Sequence, residues 1–383
     1  MQKKIIVLAI AAALITPALA MADTANVNVY GVADLSLDYV NTGDGVPASA
    51  ATAGAKNLRV SSNVSRLGLK GSEDIGVGLT AIWQMEGIVD MDIGTSGLFN
   101  RNTFIGVAGG FGTVVLGRHD TPYKIATRSL DVFADSIADN RNLMGGGPGL
   151  TSANLATVLA GGAPAAQTGY SSAVSFDGRQ SNVLAYISPT IGGVTGAIGH
   201  VNLSEQNTLN TQTKVTATSL AVMFSQGPIY ASLAYETHNI APNVGASSSE
   251  KATKLGFGYK IDAFSVSAVV EKTSDDLGGP GNAFGHTAMT VNGKFNISAT
   301  DAVKAAYVKA GKLGSPAAVD TAAKQISVGY DHSMSKRTTV YVIYTKLTND
   351  KNTNYGLFGG GGGYNINAGA SPSALSLGVK HTF

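Results

Sequence analysis

The chain of 383 residues contains no cysteine, so it has no disulfide framework and no thiolate metal site. Beyond the N-terminal segment no run of about 18 uninterrupted apolar residues occurs, which excludes a helical membrane span. Charge is sparse, at 14% of residues, and unbiased, with 27 Lys and Arg against 25 Asp and Glu. The broad basic excess of a nucleic-acid binder is therefore missing, and no nucleic-acid partner is expected. Enzyme signatures are missing as well: there is no Gly-x-Ser-x-Gly elbow, no Walker A sequence, no complete G-x-G-x-x-G and no His-Glu-x-x-His. The histidines at 119, 200, 238, 286, 332 and 381 are scattered without metal-ligand spacing. Neither catalysis nor a cofactor is expected.

Glycine, by contrast, is abundant at 48 residues, a composition that suits a turn-rich β protein better than a helical one. The N-terminus carries Lys3 and Lys4, the apolar run "IIVLAIAAALI" and small residues at Ala18, Ala20 and Ala22. This pattern predicts a secretory signal peptide over 1–22, cleaved after Ala22, and a mature domain over 23–383. Removing the leader takes away two lysines and no acids, which leaves the mature chain near neutrality.

The mature chain opens on "NVNVYGVADLSLDY", where Val27, Val29, Ala33, Leu35, Leu37 and Tyr39 share one parity. Asn28, Asp34, Ser36 and Asp38 share the other, interrupted by Tyr30 and Val32. This is a strand with one apolar and one wet face. The pattern recurs in about sixteen segments and ends in "ALSLGVKHTF", where Leu375, Leu377, Val379 and Phe383 alternate with Ser376, Gly378 and Lys380. Links between the segments alternate in length. Short ones lie near 71–78, 108–112, 188–194, 225–228, 260–263, 296–301 and 332–336. Long ones lie near 41–57, 88–100, 118–178, 203–216, 237–252, 272–286, 310–322 and 346–372.

One tight rim and one elaborated rim describe an up-and-down transmembrane barrel with short periplasmic turns and long external loops. In hydrocarbon an open sheet edge costs several kcal/mol per unpaired backbone group, so the last strand is expected to pair with the first. The apolar parity then faces lipid. A soluble propeller or sandwich also has alternating strands, but it needs a second layer over each apolar face and gives no reason for alternating link lengths.

The segments "NVYGVADLSLDYV", "SRLGLKGSEDIGVGLTAIWQMEG", "NRNTFIGVAGGFGTVVLGRHDTP", "DVFADSIADNRN", "ISVGYDHSMSKRTTVYVIY" and "LGVKHTF" resemble the general porins of Gram-negative bacteria, of the neisserial and betaproteobacterial type. The resemblance implies an all-β fold: a 16-stranded antiparallel transmembrane β-barrel in the outer membrane, with an inward-folded third external loop that narrows a water-filled channel. It implies a homotrimer in contact with outer-membrane lipid and lipopolysaccharide, and passive diffusion of small hydrophilic solutes and ions. A substrate-specific channel for sugars or small anions, and a non-conducting adhesin, are the alternatives.

The longest link, 118–178, is the third long one and hence the candidate constriction. Within it "SLDVFADSIADNR" predicts a short helix with Asp131, Asp135 and Asp139 on one face and Leu130, Phe133 and Ile137 beside them. The apolar stripe is expected on the inner wall and the carboxylates toward the channel; an ordinary surface-loop helix is the alternative. Like charges at this spacing favour cations close by. By parity Arg66 and Lys70 share a wet face, while Arg101 and Arg179 open later strands. The resemblance marks Arg66, Arg101 and Arg179 as the basic wall of the constriction. Val115 stands where many such porins carry a basic residue, which thins the expected positive lining. His119 at the loop base is a second titratable candidate.

Overall fold

The computed structural model describes residues 26–45, 55–146, 176–202, 214–241, 247–276, 285–314, 319–357 and 366–383. The predicted leader, 1–22, lies outside them. The strands are β1 (Asn26–Asn41), β2 (Lys56–Ser62), β3 (Arg66–Gly76), β4 (Leu79–Asp90), β5 (Thr95–Gly97), β6 (Thr103–Gly109), β7 (Gly112–Asp120), β8 (Arg179–Ile187) and β9 (Val194–Asn202). They continue as β10 (Lys214–Gln226), β11 (Ile229–Ala241), β12 (Ser248–Ile261), β13 (Phe264–Asp275), β14 (Thr287–Asn296), β15 (Asp301–Ala310), β16 (Ala323–Ser333), β17 (Thr338–Asn349) and β18 (Ser373–Thr382). One α-helix, α1 (Pro122–Arg128), follows β7.

All 18 segments form one antiparallel sheet, yet they make 16 staves. β2 and β3 both pair with β1, through Leu35↔Ser62 and Val32↔Arg66, so they are two halves of one stave broken at 63–65. β5 and β6 likewise both pair with β4, through Ile88↔Gly97 and Met85↔Thr103. Each break contains a residue of positive φ, Val64 at 56° and Phe99 at 57°. Closure comes from β1 against β18, with Leu37↔Leu377 in register. Beyond that ladder Gly31 and Phe383 exchange backbone hydrogen bonds of 3.0 and 3.2 Å. A Cβ on Gly31 would fall on the Phe383 ring, so glycine there lets the last aromatic lie flat on the first strand.

The turns on one rim are as short as the sequence predicts. Residues 77–78 close a two-residue hairpin with φ values of 49° and 74°, the primed geometry that matches strand twist. The other rim carries the long links. Strand parity sorts the faces cleanly: Leu377 is 49% exposed on the outside, whereas its neighbour Ser376 is 2% exposed on the inside. Leu37, Val222, Leu255 and Ile326 join the outer band, and Ser36, Ser219, Lys254 and Gln325 the inner wall. An apolar belt of this extent around a closed wall is the surface a bilayer covers.

Candidate functional site

After β7 the described residues 121–146 lie against the inner wall of the barrel. Thr121 caps α1, its hydroxyl accepting from the Lys124 N–H at 3.4 Å, and Pro122 occupies the first turn, where its missing donor costs nothing. The Tyr123 N–H donates to Ser219 Oγ at 2.9 Å and its hydroxyl to Glu271 at 2.9 Å. The Tyr230 hydroxyl donates to the Ala126 carbonyl at 2.6 Å. Ser219, Tyr230 and Glu271 are all inward-facing residues of β10, β11 and β13, so the helix lies on the inner wall. The wall makes room with small residues. A Cβ at Gly256 would come within 2.7 Å of Leu130, and one at Gly329 within 2.8 Å of Phe133.

The segment 129–139 departs from the predicted helix. It runs as consecutive turns, because its aspartates bond the local backbone instead of leaving it to a helical ladder. Asp131 accepts from the N–H groups of Phe133 at 2.8 Å and Asn140 at 2.9 Å. Asp139 accepts from Arg141 N–H and Asp135 N–H, each at 2.9 Å. Asp135 has a φ of 62°. Leu130, Phe133 and Ile137 are buried against the barrel wall with Val269, Ala306 and Ile343.

Three carboxylates converge on one cation that the sequence reading passed over. Arg128 lies 3.7 Å from Asp131, 2.7 Å from Asp135 and 2.6 Å from Asp139. Arg141 adds contacts to Asp135 at 3.2 Å and Asp139 at 2.8 Å. Two arginines bracketing "DVFADSIADN" were the signal available in the sequence. Burial works to raise all three carboxyls. Asp131, with the Asp139 charge next to it, is pushed up to about 6. For Asp135 and Asp139 the arginines overcome burial and hold both carboxyls below their ordinary range. Asp131 and Asp139 are buried, and Asp135 is the partly exposed member, facing the opposite wall.

That wall carries a polar strip across β3 to β8. Glu86 accepts from Arg101 Nε at 2.6 Å and from the Tyr30 hydroxyl at 3.0 Å, with Arg66 Nε 3.7 Å away. Arg66 also pairs with Asp135 of the inward segment at 3.8 Å. Arg179 donates to Asn102 at 2.6 Å and pairs with Asp120 at 3.0 Å. Asp120 in turn holds Lys124 at 2.8 Å, which ties the strip to the loop base. Burial pulls the Lys124 ammonium down to about 8 despite that carboxylate.

Arg66 and Arg101 thus meet at Glu86, and Arg179 sits at the end of the same strip. Lys70 stands apart, its ammonium 5.2 Å from the Tyr30 ring centroid. Val115 is buried among Val183, Ala185 and Val201. His119 is buried and edge-on to Phe104 at 5.0 Å. Among the described residues no cluster of metal-ligating side chains exists. A second inward segment went unread: Tyr355 and Leu357, after β17, are buried beside Leu143 and Met144. Together these contacts fill the lumen against β11–β18 and leave the charged edge toward β3–β8.

Comparison with known proteins agrees with this architecture. A family model described as "Gram-negative porin" matches residues 8–352. Outer membrane porin protein 32 of Delftia acidovorans is 30% identical over 391 residues, with both chains fully covered. The major outer membrane protein P.IB of Neisseria lactamica is 28% identical over 398 residues, again with full coverage. Among solved structures, an anion-selective porin from Comamonas acidovorans superposes with a TM-score of 0.75 at 26% identity, covering 94% of this chain and all of the other. The closed 16-stave wall, its apolar belt and these full-length similarities lead to one conclusion: the chain belongs to the Gram-negative porin family and forms a diffusion channel in the outer membrane.

Proposed function

We propose that this porin is a general diffusion channel in which small hydrophilic solutes are sorted by size and charge along the polar edge formed by the Arg66–Glu86–Arg101 strip and Asp135 of the inward segment. The observation that carries the proposal is the ion pair of Arg66 with Asp135 at 3.8 Å, two partly exposed side chains that set the wall cations beside the loop carboxylates along one edge. Fixed charges of both signs along such an edge produce a local field that orients polar solutes and disfavours apolar ones. Arginine keeps its charge at any working pH and offers a rigid donor fork. In this reading Arg66, Arg101 and Arg179 form the wall, with Lys70 at its margin, and Asp131, Asp135 and Asp139 belong to the loop.

Around the gap the cations Arg66, Arg101, Lys124, Arg128, Arg141 and Arg179 outnumber the carboxylates of Glu86, Asp120, Asp131, Asp135 and Asp139 by one. This excess supports a mild anion preference, in keeping with the anion-selective relative. The apolar Val115 on the same wall keeps that preference modest. The working unit is a homotrimer, as the trimer form of a structurally similar Vibrio cholerae protein supports for the fold. The family's fold is a channel and not an enzyme, so transport is passive.

Planar-bilayer recordings test the proposal. Conductance is expected to rise linearly with KCl concentration, and neutral sugars are expected to enter protein-loaded liposomes at rates ordered by size. Saturation in KCl, or sugar uptake unrelated to size, would replace general diffusion with a dedicated site.

A further inference from the structure

On the short-turn side of the inward segment, away from the strip just described, the inner wall carries a second group of charges. Lys260, Ser265, Lys294 and Lys304 stand on one rung of the sheet: Lys260↔Ser265, Ser265↔Lys294 and Lys294↔Lys304 are direct cross-strand partners. Staves lie about 4.8 Å apart, so three ammonium groups share roughly 15 Å of wall. Lys294 and Lys304 are immediate neighbours, an arrangement that is destabilising on its own. Among the described residues one carboxylate, Asp331, pairs with this group, and Lys304 holds it at 2.9 Å.

These side chains line a cavity of about 320 Å³. Its roof is Ser129, Leu130 and Val132 of the inward segment, and the inward-facing Tyr230 flanks it. The roof is anchored by the Ser267 hydroxyl, which donates to the Leu130 carbonyl. Lys304 is pinned further, its ammonium 5.0 Å from the Phe133 ring centroid. Among the described residues Lys260 and Lys294 have no carboxylate within ion-pair distance, and Asp331 acts on Lys294 only from farther off. A concave, partly apolar site with convergent cations and hydroxyls is built to hold an anion that also has an apolar body.

We infer that this cavity is a binding subsite for small organic dianions, exemplified by an aryl phosphate, on the periplasmic side of the constriction. The charged group bridges Lys260 and Lys294, and the ring lies against Leu130, Val132 and Tyr230. The inference rests on the channel reading above and adds a weak station below the narrowest point. The short turns mark the periplasmic rim, so access is from that side.

The test is current block by phenyl phosphate and by inorganic phosphate, added to each side of a planar bilayer in turn. Phenyl phosphate added on the short-turn side is expected to give saturable partial block, at lower concentration than inorganic phosphate. In Lys260→Gln and Lys294→Gln variants, with block expressed relative to each variant's own open current, half-block should need about tenfold more ligand, the usual loss for one charge-assisted hydrogen bond. Block that is unchanged in both variants, or equal for the two phosphates, overturns the inference. Lys260 is exposed at the cavity edge, so its variant alone decides the matter should Lys294→Gln not insert. Absence of any current from the unaltered protein would instead strike the channel reading itself.

Discussion

The guanidinium of Arg66 on the barrel wall lies 3.8 Å from the Asp135 carboxylate on the segment that crosses the lumen. The two residues are 69 positions apart in the chain and are brought into contact by the fold. Reversing the wall charge with Arg66→Glu places a third carboxylate beside Glu86 and Asp135. The expected outcome is a shift of the zero-current potential in a salt gradient toward cations, by about fivefold in permeability ratio, the factor that ~1 kcal/mol supplies. Asp135→Asn should move the ratio the opposite way. No shift in either variant would remove this pair from the solute path.

Arg128 holds the inward segment together, since Asp131, Asp135 and Asp139 all lie within 3.7 Å of it. Arg128→Met keeps the stem and deletes the charge, leaving Asp139 to Arg141 and taking from Asp131 the cation that stands 3.7 Å from it. Loss of one partner from a largely buried cluster costs on the order of 3 kcal/mol. That cost falls on the segment and not on the barrel ladder. Protease cleavage within 121–146 and larger, noisier single-channel currents are expected, with the folded barrel still present on gels. An unaltered cleavage pattern would mean that apolar packing of Leu130, Phe133 and Ile137 suffices.

Acidification should act through one carboxyl. Burial, reinforced by the Asp139 charge, raises Asp131 to about 6, whereas Arg128 and Arg141 keep Asp135 and Asp139 in the charged form well below that. Because the folded-state pKa is raised, the Asp131 contribution to packing of the segment is full below the ordinary carboxylate range and is lost as pH rises through about 6. Between pH 7 and 5, therefore, the segment gains a proton, tightens and adds one positive charge to the gap. Zero-current potentials recorded across that interval should move toward anions in the native protein and stay put in Asp131→Asn.

The barrel was legible from local pattern, because strand parity depends only on a residue's near neighbours. The alternation of Leu375 and Leu377 with Ser376 and Gly378, and the spacing of short and long links, were enough to count staves. Arg66, Arg101 and the three aspartates could be named as candidates from the sequence, but not the partners that the fold gives them. Tyr123 meets Glu271 at a separation of 148 positions, and no period in the chain encodes such a meeting. The predicted helix over 129–141 failed because aspartate side chains compete for backbone donors, a preference that periodicity does not register. In "KLGFGYK" the outward Leu255, Phe257 and Tyr259 were readable, while the role of Gly256 and Gly258 as the bed for Leu130 depends on a loop folded back over them.

The assignment of faces carries its own test at the closure of the barrel. Leu377 on β18 stands in register between Leu37 on β1 and Val342 on β17, all three turned outward. Ser376 stands between Asp38 and Ile343 on the inner side. A cationic side chain on the lipid face near the bilayer midplane costs roughly 2–4 kcal/mol, and the same side chain toward the lumen costs far less. Leu377→Arg is accordingly expected to lower folding stability in lipid vesicles by about that amount. Nitroxide labels at Leu37 and Leu377 should be quenched by oxygen in the acyl region, and a label at Ser376 should not. Lipid-soluble quenching at Ser376 together with aqueous quenching at Leu377 would invert the wall, and with it the inward placement of Arg66, whose strand pairs with β1 in the same sheet.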